Sequence, residues 1–279
     1  MTTGESQGRR IAFAIAGLIL VLLAVIGLRR WAHHAQLELI PVIVPPAMPS
    51  ATVLDPPLVA IAQRMMLDVR ESLSPPRRPR YAVLTFDDGP YPVATPALLA
   101  QLHRLDVPAV FFLIGRDTIE QPALAERIAA GWTEIGNHTS THPEMATLAF
   151  DAQSREVADG AAQIERVTGG HIVYFRPPHG NFNAATVGAA RGQGETVALW
   201  DVDPGDWRHV TAQFVVDNVT THARSPAVFL LHNGSTATID ALPQIVAAYR
   251  RAGFEFVTLS QLQQRMPLDQ INDPVAVSL

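Results

Sequence analysis

Five short polar clusters recur along this chain, and each follows a run that reads as a buried β-strand. They are Asp87-Asp88 in TFDDGP, His138 and His142 in NHTSTHP, Arg176 in RPPHG, Asp203 in DPGDW and His232 in LLHNG. Where parallel strands alternate with helices in a barrel, the C-terminal strand ends converge on one mouth, and catalytic groups gather there. Strand-like runs lie at 81–86, 109–114, 133–136, 172–175, 196–200, 227–231 and 254–259, with helical stretches near 95–104, 121–130, 151–167, 184–192, 211–223 and 238–251. Continuous apolar runs such as AVFFLI and AVFLL suit strands covered on both faces, as a parallel sheet requires. An open doubly wound sheet would gather its ligand groups at one switch point. Five separate strand ends carry them here, so the pattern predicts an α/β fold, a distorted (β/α)7-type barrel.

The first residues belong to a different regime. Ile11 to Leu28 is an unbroken apolar run of 18 residues between Arg9-Arg10 and Arg29-Arg30. As a helix it would be about 27 Å long, close to the roughly 30 Å hydrocarbon core of a bilayer. A signal peptide is the rival, but its apolar region is shorter and ends near an A-x-A site. A single transmembrane anchor is therefore expected over 1–30. Residues 31–77 follow as a proline-rich spacer (six prolines over 41–58) and an amphipathic helix near 59–73. The catalytic domain is expected over 78–266 and a tail over 267–279. Equal arginine flanks leave orientation open, and the bulk of the chain is placed outside the cytoplasm on functional grounds. The absence of cysteine fits an oxidising compartment. A net charge of −5 argues against nucleic acid as a partner.

The chemistry follows from the clusters. His138 and His142 are spaced i, i+4, so a helical turn or a tight loop presents both on one side. With Asp88 they form a set of two imidazoles and one carboxylate, which holds a divalent ion and leaves positions for water and substrate. Zn2+ is the first expectation, with Co2+, Ni2+ or iron served by the same donors. Asp87-Asp88-Gly89-Pro90 alone could be only a turn; the four other clusters make a site the better reading.

TFDDGP, HTSTHP, RPPHG, DPGDW and LLH, in this order, resemble the five motifs of the polysaccharide deacetylases, the NodB-homology domains of carbohydrate esterase family 4. The resemblance spans roughly residues 78–265. It implies Asp87 as general base, with Arg176 paired to it and aiming it at water. It implies His232 as general acid, with Asp203 as the carboxylate that keeps this histidine protonated and oriented. A backbone N–H in the Pro178-His179-Gly180 loop would help the metal stabilise the oxyanion, and Trp207 and Leu230 match positions that wall a pocket for the acetyl methyl. Two departures stand out: His179 replaces a usual tyrosine, and Asn233 a frequent aspartate. Trp200 is expected to be core packing, His103 to sit near a helix C-terminus and His171 at the surface, while His209 could line the groove. The chain is thus expected to be a metal-dependent hydrolase removing N-acetyl groups from an extracytoplasmic polysaccharide, peptidoglycan first among candidates. An O-acetyl esterase on xylan or wall glycan, or a catalytically silent glycan-binding module, are the alternatives; the oligomeric state is left open.

Overall fold

The computed structural model describes residues 79–220, 225–266 and 277–278. The expected transmembrane segment, the spacer, the helix near 59–73 and most of the tail lie outside the described residues. Among the described residues, no helix is long and apolar enough to cross a membrane.

The first strand, β1 (Arg80–Asp87), is buried from Tyr81 onward on both faces. Its side chains alternate between two apolar layers. Tyr81 and Val83 face an inner cluster with Val110, Phe112 and Val228, while Ala82, Leu84 and Phe86 meet helical residues such as Leu98, Leu242 and Ile245. Each fully buried Leu or Phe contributes about 1.5–3 kcal/mol relative to exposure. The inward series 81, 83 continues to Thr85 and Asp87, so strand periodicity delivers Asp87 to the inner face at the strand's C-terminal end.

The strands that follow are β2 (Ala109–Leu113), β3 (Thr133–Asn137), β4 (Tyr174–Phe175), β5 (Thr196–Ala198), β6 (Ala227–His232) and β7 (Phe254–Phe256), with the short β8 (Val277–Ser278) last. The sheet runs β6-β1-β2-β3-β4-β5-β8; β7 pairs with the start of β1, and every pairing is parallel except β5 with β8. Helices α1 (Ala94–Leu105), α2 (Gly115–Glu120), α3 (Pro122–Ala129), α4 (Phe150–Thr168), α5 (Ala184–Gly192), α6 (Ala212–Thr220), α7 (Thr236–Arg251) and α8 (Leu259–Arg265) complete the described residues.

All seven expected strands are present, but they curl into a half-barrel and not a closed seven-stranded cylinder. At the seam, β5 and β6 share no ladder. The sheet is linked there by an isolated bridge, Val202 with Phe229, in which the Val202 N–H donates to the Val228 carbonyl at 3.1 Å and the Leu230 N–H to the Val202 carbonyl at 2.8 Å. The carbonyls of Ala198 and Leu199 are occupied by the Arg176 guanidinium, both at 3.0 Å, instead of by a neighbouring strand. Beyond β4, Arg176 still donates its N–H to the Asn137 carbonyl at 2.9 Å, but Pro177 and Pro178 then remove two donors and end the strand. The run expected as a strand to Leu259 stops at Phe256, because Thr258 and Gln261 form a reciprocal cap that starts α8.

Candidate active site

The chain leaves β1 in left-handed conformation at Asp88 (φ 72°) and Gly89 (φ 73°). This turn lets two successive carboxylates serve one mouth, where a continuing strand would send them to opposite faces. Asp87 Oδ1 accepts from Arg176 Nη1 at 2.7 Å, and its Oδ2 lies 3.8 Å from His138 Nε2. Asp88 Oδ1 lies 3.7 Å from His138 Nε2 and 3.4 Å from His142 Nε2. One donor atom from each of Asp88, His138 and His142 falls within 4.8 Å of the others. Separations of this order suit donors that each sit about 2.0–2.2 Å from a shared ion.

His138 and His142 come from a tight loop, not a helical turn. Thr139 (φ 71°) and His142 (φ 64°) are left-handed, and the Thr139 hydroxyl accepts from the His142 N–H at 2.9 Å. Buried His138 has its Nδ1 2.7 Å from the Arg176 carbonyl. A carbonyl can only accept, so Nδ1 carries the proton and Nε2 presents its lone pair towards Asp88, the arrangement a metal-binding histidine needs. Burial, and then the neighbouring His138, push the His142 pKa down, favouring the neutral ligand form. The donor set fits a divalent cation.

Arg176 stands fully buried inside the curl. Its guanidinium bonds Asp87, Thr85 and the Ala198 and Leu199 carbonyls, and lies 4.1 Å from the centroid of the Phe112 ring. A buried cation is tolerable only when its donors are satisfied in this way.

Across the mouth, His232 pairs in register with Asp87 at the end of β6. Its Nδ1 lies 2.7 Å from Asp206 Oδ1, and its N–H donates to Asp206 Oδ2 at 2.9 Å. Burial alone would lower the His232 pKa, but the Asp206 hydrogen bond and charge, with Asp87 and Asp88 beyond, outweigh it and raise it to about 9. The expectation that Asp203 holds His232 is therefore corrected to Asp206. Asp203 is exposed and its Oδ1 accepts from the Gly205 N–H at 2.7 Å. The left-handed Gly205 (φ 70°) and the 3-10 turn Asp206–Arg208 then carry the second aspartate inward.

The 178–180 loop offers one free amide. Proline at 178 has none, and Gly180 N–H donates to the Pro177 carbonyl at 3.1 Å. Among the described residues the His179 N–H has no acceptor, which makes it the donor available to an oxyanion. The His179 imidazole stacks edge-on against His142, centroids 4.7 Å apart, with Nε2 3.5 Å from Glu144. A cavity of about 330 Å³ opens beside His232 and Asp88, walled by Tyr91, Trp207 and His209. Trp207 is half exposed, whereas Leu230 is buried on the inner face two residues before His232. Trp200 packs against the inner cluster as expected. His103 lies in the last turn of α1, and His171 is exposed beside Glu165.

The family model described as "Polysaccharide deacetylase" matches residues 74–198. A peptidoglycan-N-acetylglucosamine deacetylase of Bacillus cereus is 32% identical over 192 residues, which is 67% of this chain and 90% of that protein. The chain belongs to the polysaccharide deacetylase family. A chitooligosaccharide deacetylase of Bradyrhizobium is likewise 32% identical, over 66% of this chain and 90% of its own. The solved family 4 carbohydrate esterase from Streptomyces lividans in complex with acetate superposes with a TM-score of 0.62 at 29% identity, covering 64% of this chain and 93% of that one. This polysaccharide deacetylase is accordingly a hydrolase acting on N-acetyl amides.

Several residues shape the deacetylase site in ways that the sequence alone does not disclose. Asn233 is buried, accepts from the Thr95 hydroxyl at 3.0 Å and donates to the Asp88 carbonyl at 3.4 Å, steadying the turn that carries Asp88. Asn137 accepts from the Thr139 N–H at 2.9 Å and so shapes the histidine loop. Asp206 could have been suspected, since DPGDW holds two aspartates; sequence alone does not choose between them.

Proposed function

We propose that this deacetylase removes N-acetyl groups from an extracytoplasmic polysaccharide rich in N-acetylglucosamine, with peptidoglycan its leading substrate. The observation that carries the reading is the convergence of Asp88, His138 and His142 between two separate proton-handling pairs, Asp87 with Arg176 and His232 with Asp206. The names of the relatives in Bacillus and Bradyrhizobium support the substrate class.

A divalent ion held by Asp88, His138 and His142 would lower the pKa of water and polarise the acyl oxygen. The chain's own groups divide the remaining work. Asp87, fixed through Oδ1 by Arg176, keeps Oδ2 for the proton that water gives up as it attacks the acyl carbon. The His179 N–H is available to the oxygen on which charge develops. Breaking the C–N bond expels an amine, a poor leaving group unless protonated. His232, cationic at neutral pH, delivers that proton; Asp206 orients the imidazole and stabilises its charged form, which is restored by the proton that Asp87 took up, passed on through solvent. Trp207 walls the cavity beside His232, where the acetyl methyl would lie. Zn2+ is the ion proposed, and the run from Ile11 to Leu28 is proposed to anchor the chain with its catalytic domain outside the cytoplasm.

Metal-stripped protein refilled with Zn2+, Co2+ or Ni2+ is expected to release acetate from N-acetylglucosamine oligomers in preference to O-acetylated xylan. Release from xylan alone would make it an ester hydrolase. Glycan binding without acetate release from any polymer would make it a binding module.

A further inference from the structure

The loop that supplies two of the three metal donors is held in a conformation that its residues do not favour. Thr139 and His142 are both left-handed without being glycine, which costs of order 1–3 kcal/mol each unless the surroundings enforce it. Asn137 does the enforcing at Thr139. Its Oδ1 accepts the Thr139 N–H, while its Nδ2 donates to the Val157 carbonyl at 2.8 Å and to both carboxyl oxygens of Glu195, at 3.1 and 3.0 Å.

Glu195 comes from just before β5, 58 residues further along the chain. Its surroundings are apolar, next to the cluster of Val157, Ala190 and Val197, and it is only 5% exposed. Among the described residues it has no cationic partner. Burying a carboxyl group this way costs stability, and an apolar residue would fill the space without that cost. Burial raises its pKa to about 8, against a smaller opposing effect of the Asn137 hydrogen bond, so at neutral pH it is chiefly the uncharged acid. A neutral carboxyl in that place is a hydrogen-bond acceptor with a fixed direction, and Asn137 is the group it directs.

We propose that Glu195 is a positioning residue for the metal site: its carboxyl group fixes the Asn137 amide, and through it the left-handed turn that aims His138 and His142. The inference rests on the metal reading of Asp88, His138 and His142. Glu195 touches neither ion nor substrate; it acts through Asn137, and its influence is on how tightly the ion is held.

Three variants separate positioning from space filling: Glu195→Gln, Glu195→Met and Glu195→Asp. Zinc affinity is measured by competition with a chromophoric chelator, alongside the melting temperature of the metal-free chain and kcat and KM for acetate release. The glutamine keeps reach and acceptor, so its zinc affinity is expected within about threefold of wild type. Methionine keeps volume but offers no acceptor of comparable strength, and aspartate falls a methylene short. Both are expected to lose about 10–100-fold in zinc affinity, the usual scale for a partner behind a metal ligand. Saturating zinc is expected to restore most of kcat. A folded methionine variant that binds zinc as tightly as wild type would overturn the inference, as would a glutamine variant as weak as methionine. Should the methionine variant not fold, an aspartate variant with wild-type zinc affinity overturns it instead. A wild-type chain that takes up no zinc would overturn the metal reading and this inference together, whereas normal wild-type uptake with unaltered variants overturns the inference alone.

Discussion

Asp203 and Asp206 share one loop and one chemistry, yet only one can serve His232. The choice is made by backbone: Asp203 spends its carboxylate on the Gly205 N–H, and the turn beyond Gly205 swings Asp206 under the imidazole. That is why the aspartate partnering His232 could not be read from DPGDW, while Asp88, His138 and His142 could. The metal donors differ in type, recur in a fixed order and sit at strand ends, whereas the two aspartates differ only in a local φ value. Asp206→Asn is expected to lower kcat for acetate release by about 10²–10⁴-fold, the usual worth of a general acid. Asp203→Asn should change it by less than about threefold. In metal-free protein, NMR titration of His232 is expected to show a midpoint near 9 that falls in Asp206→Asn and holds in Asp203→Asn. Equal losses in the two variants would return the role to Asp203.

At the level of elements, the histidine loop depends on how closely α4 approaches it. A Cβ at Gly160 would lie 2.4 Å from Asn137 Oδ1 and 2.6 Å from the Thr139 carbonyl carbon, so the helix can come this near only with glycine there. Gly160→Ala is expected to cost about 1–3 kcal/mol in chemical denaturation, the scale of overpacking, and to weaken zinc binding because the obstruction falls on the loop itself. Gly169→Ala is the control. Its left-handed φ strains an alanine, but nothing lies within 4 Å, so zinc affinity should stay unchanged. Strand and helix order were legible because buried parallel strands leave long apolar runs. The shortness of β5 was not, since it reflects Arg176 taking the Ala198 and Leu199 carbonyls, a contact made 22 and 23 residues away. Glu195 was illegible for the same reason: its partner lies across the sheet, and nothing local distinguishes it from a surface glutamate.

Across the whole molecule, titration couples the site's surroundings to stability. The Glu195 pKa is raised, so the folded chain binds a proton that the unfolded chain has released above about 4.5. The stability tied to the neutral acid is complete below that value and is lost as pH rises towards about 8. His232 acts in the same direction between its ordinary value of 6.5 and about 9. Metal-free protein is therefore expected to melt at progressively lower temperature from pH 6.5 to pH 9, and Glu195→Gln should flatten that decline. A variant that declines as steeply as wild type would remove Glu195 from the account. The central claim concerns the half-barrel's mouth, where strand ends far apart in sequence bring three donors around one cation with Asp87 and His232 beside it. The most direct test is zinc stoichiometry and acetate release measured together in wild type and Asp87→Asn. One zinc per chain in both, with release cut by about 10²–10⁴-fold in the variant, is the predicted result; zinc lost from Asp87→Asn, or release undiminished, would contradict it.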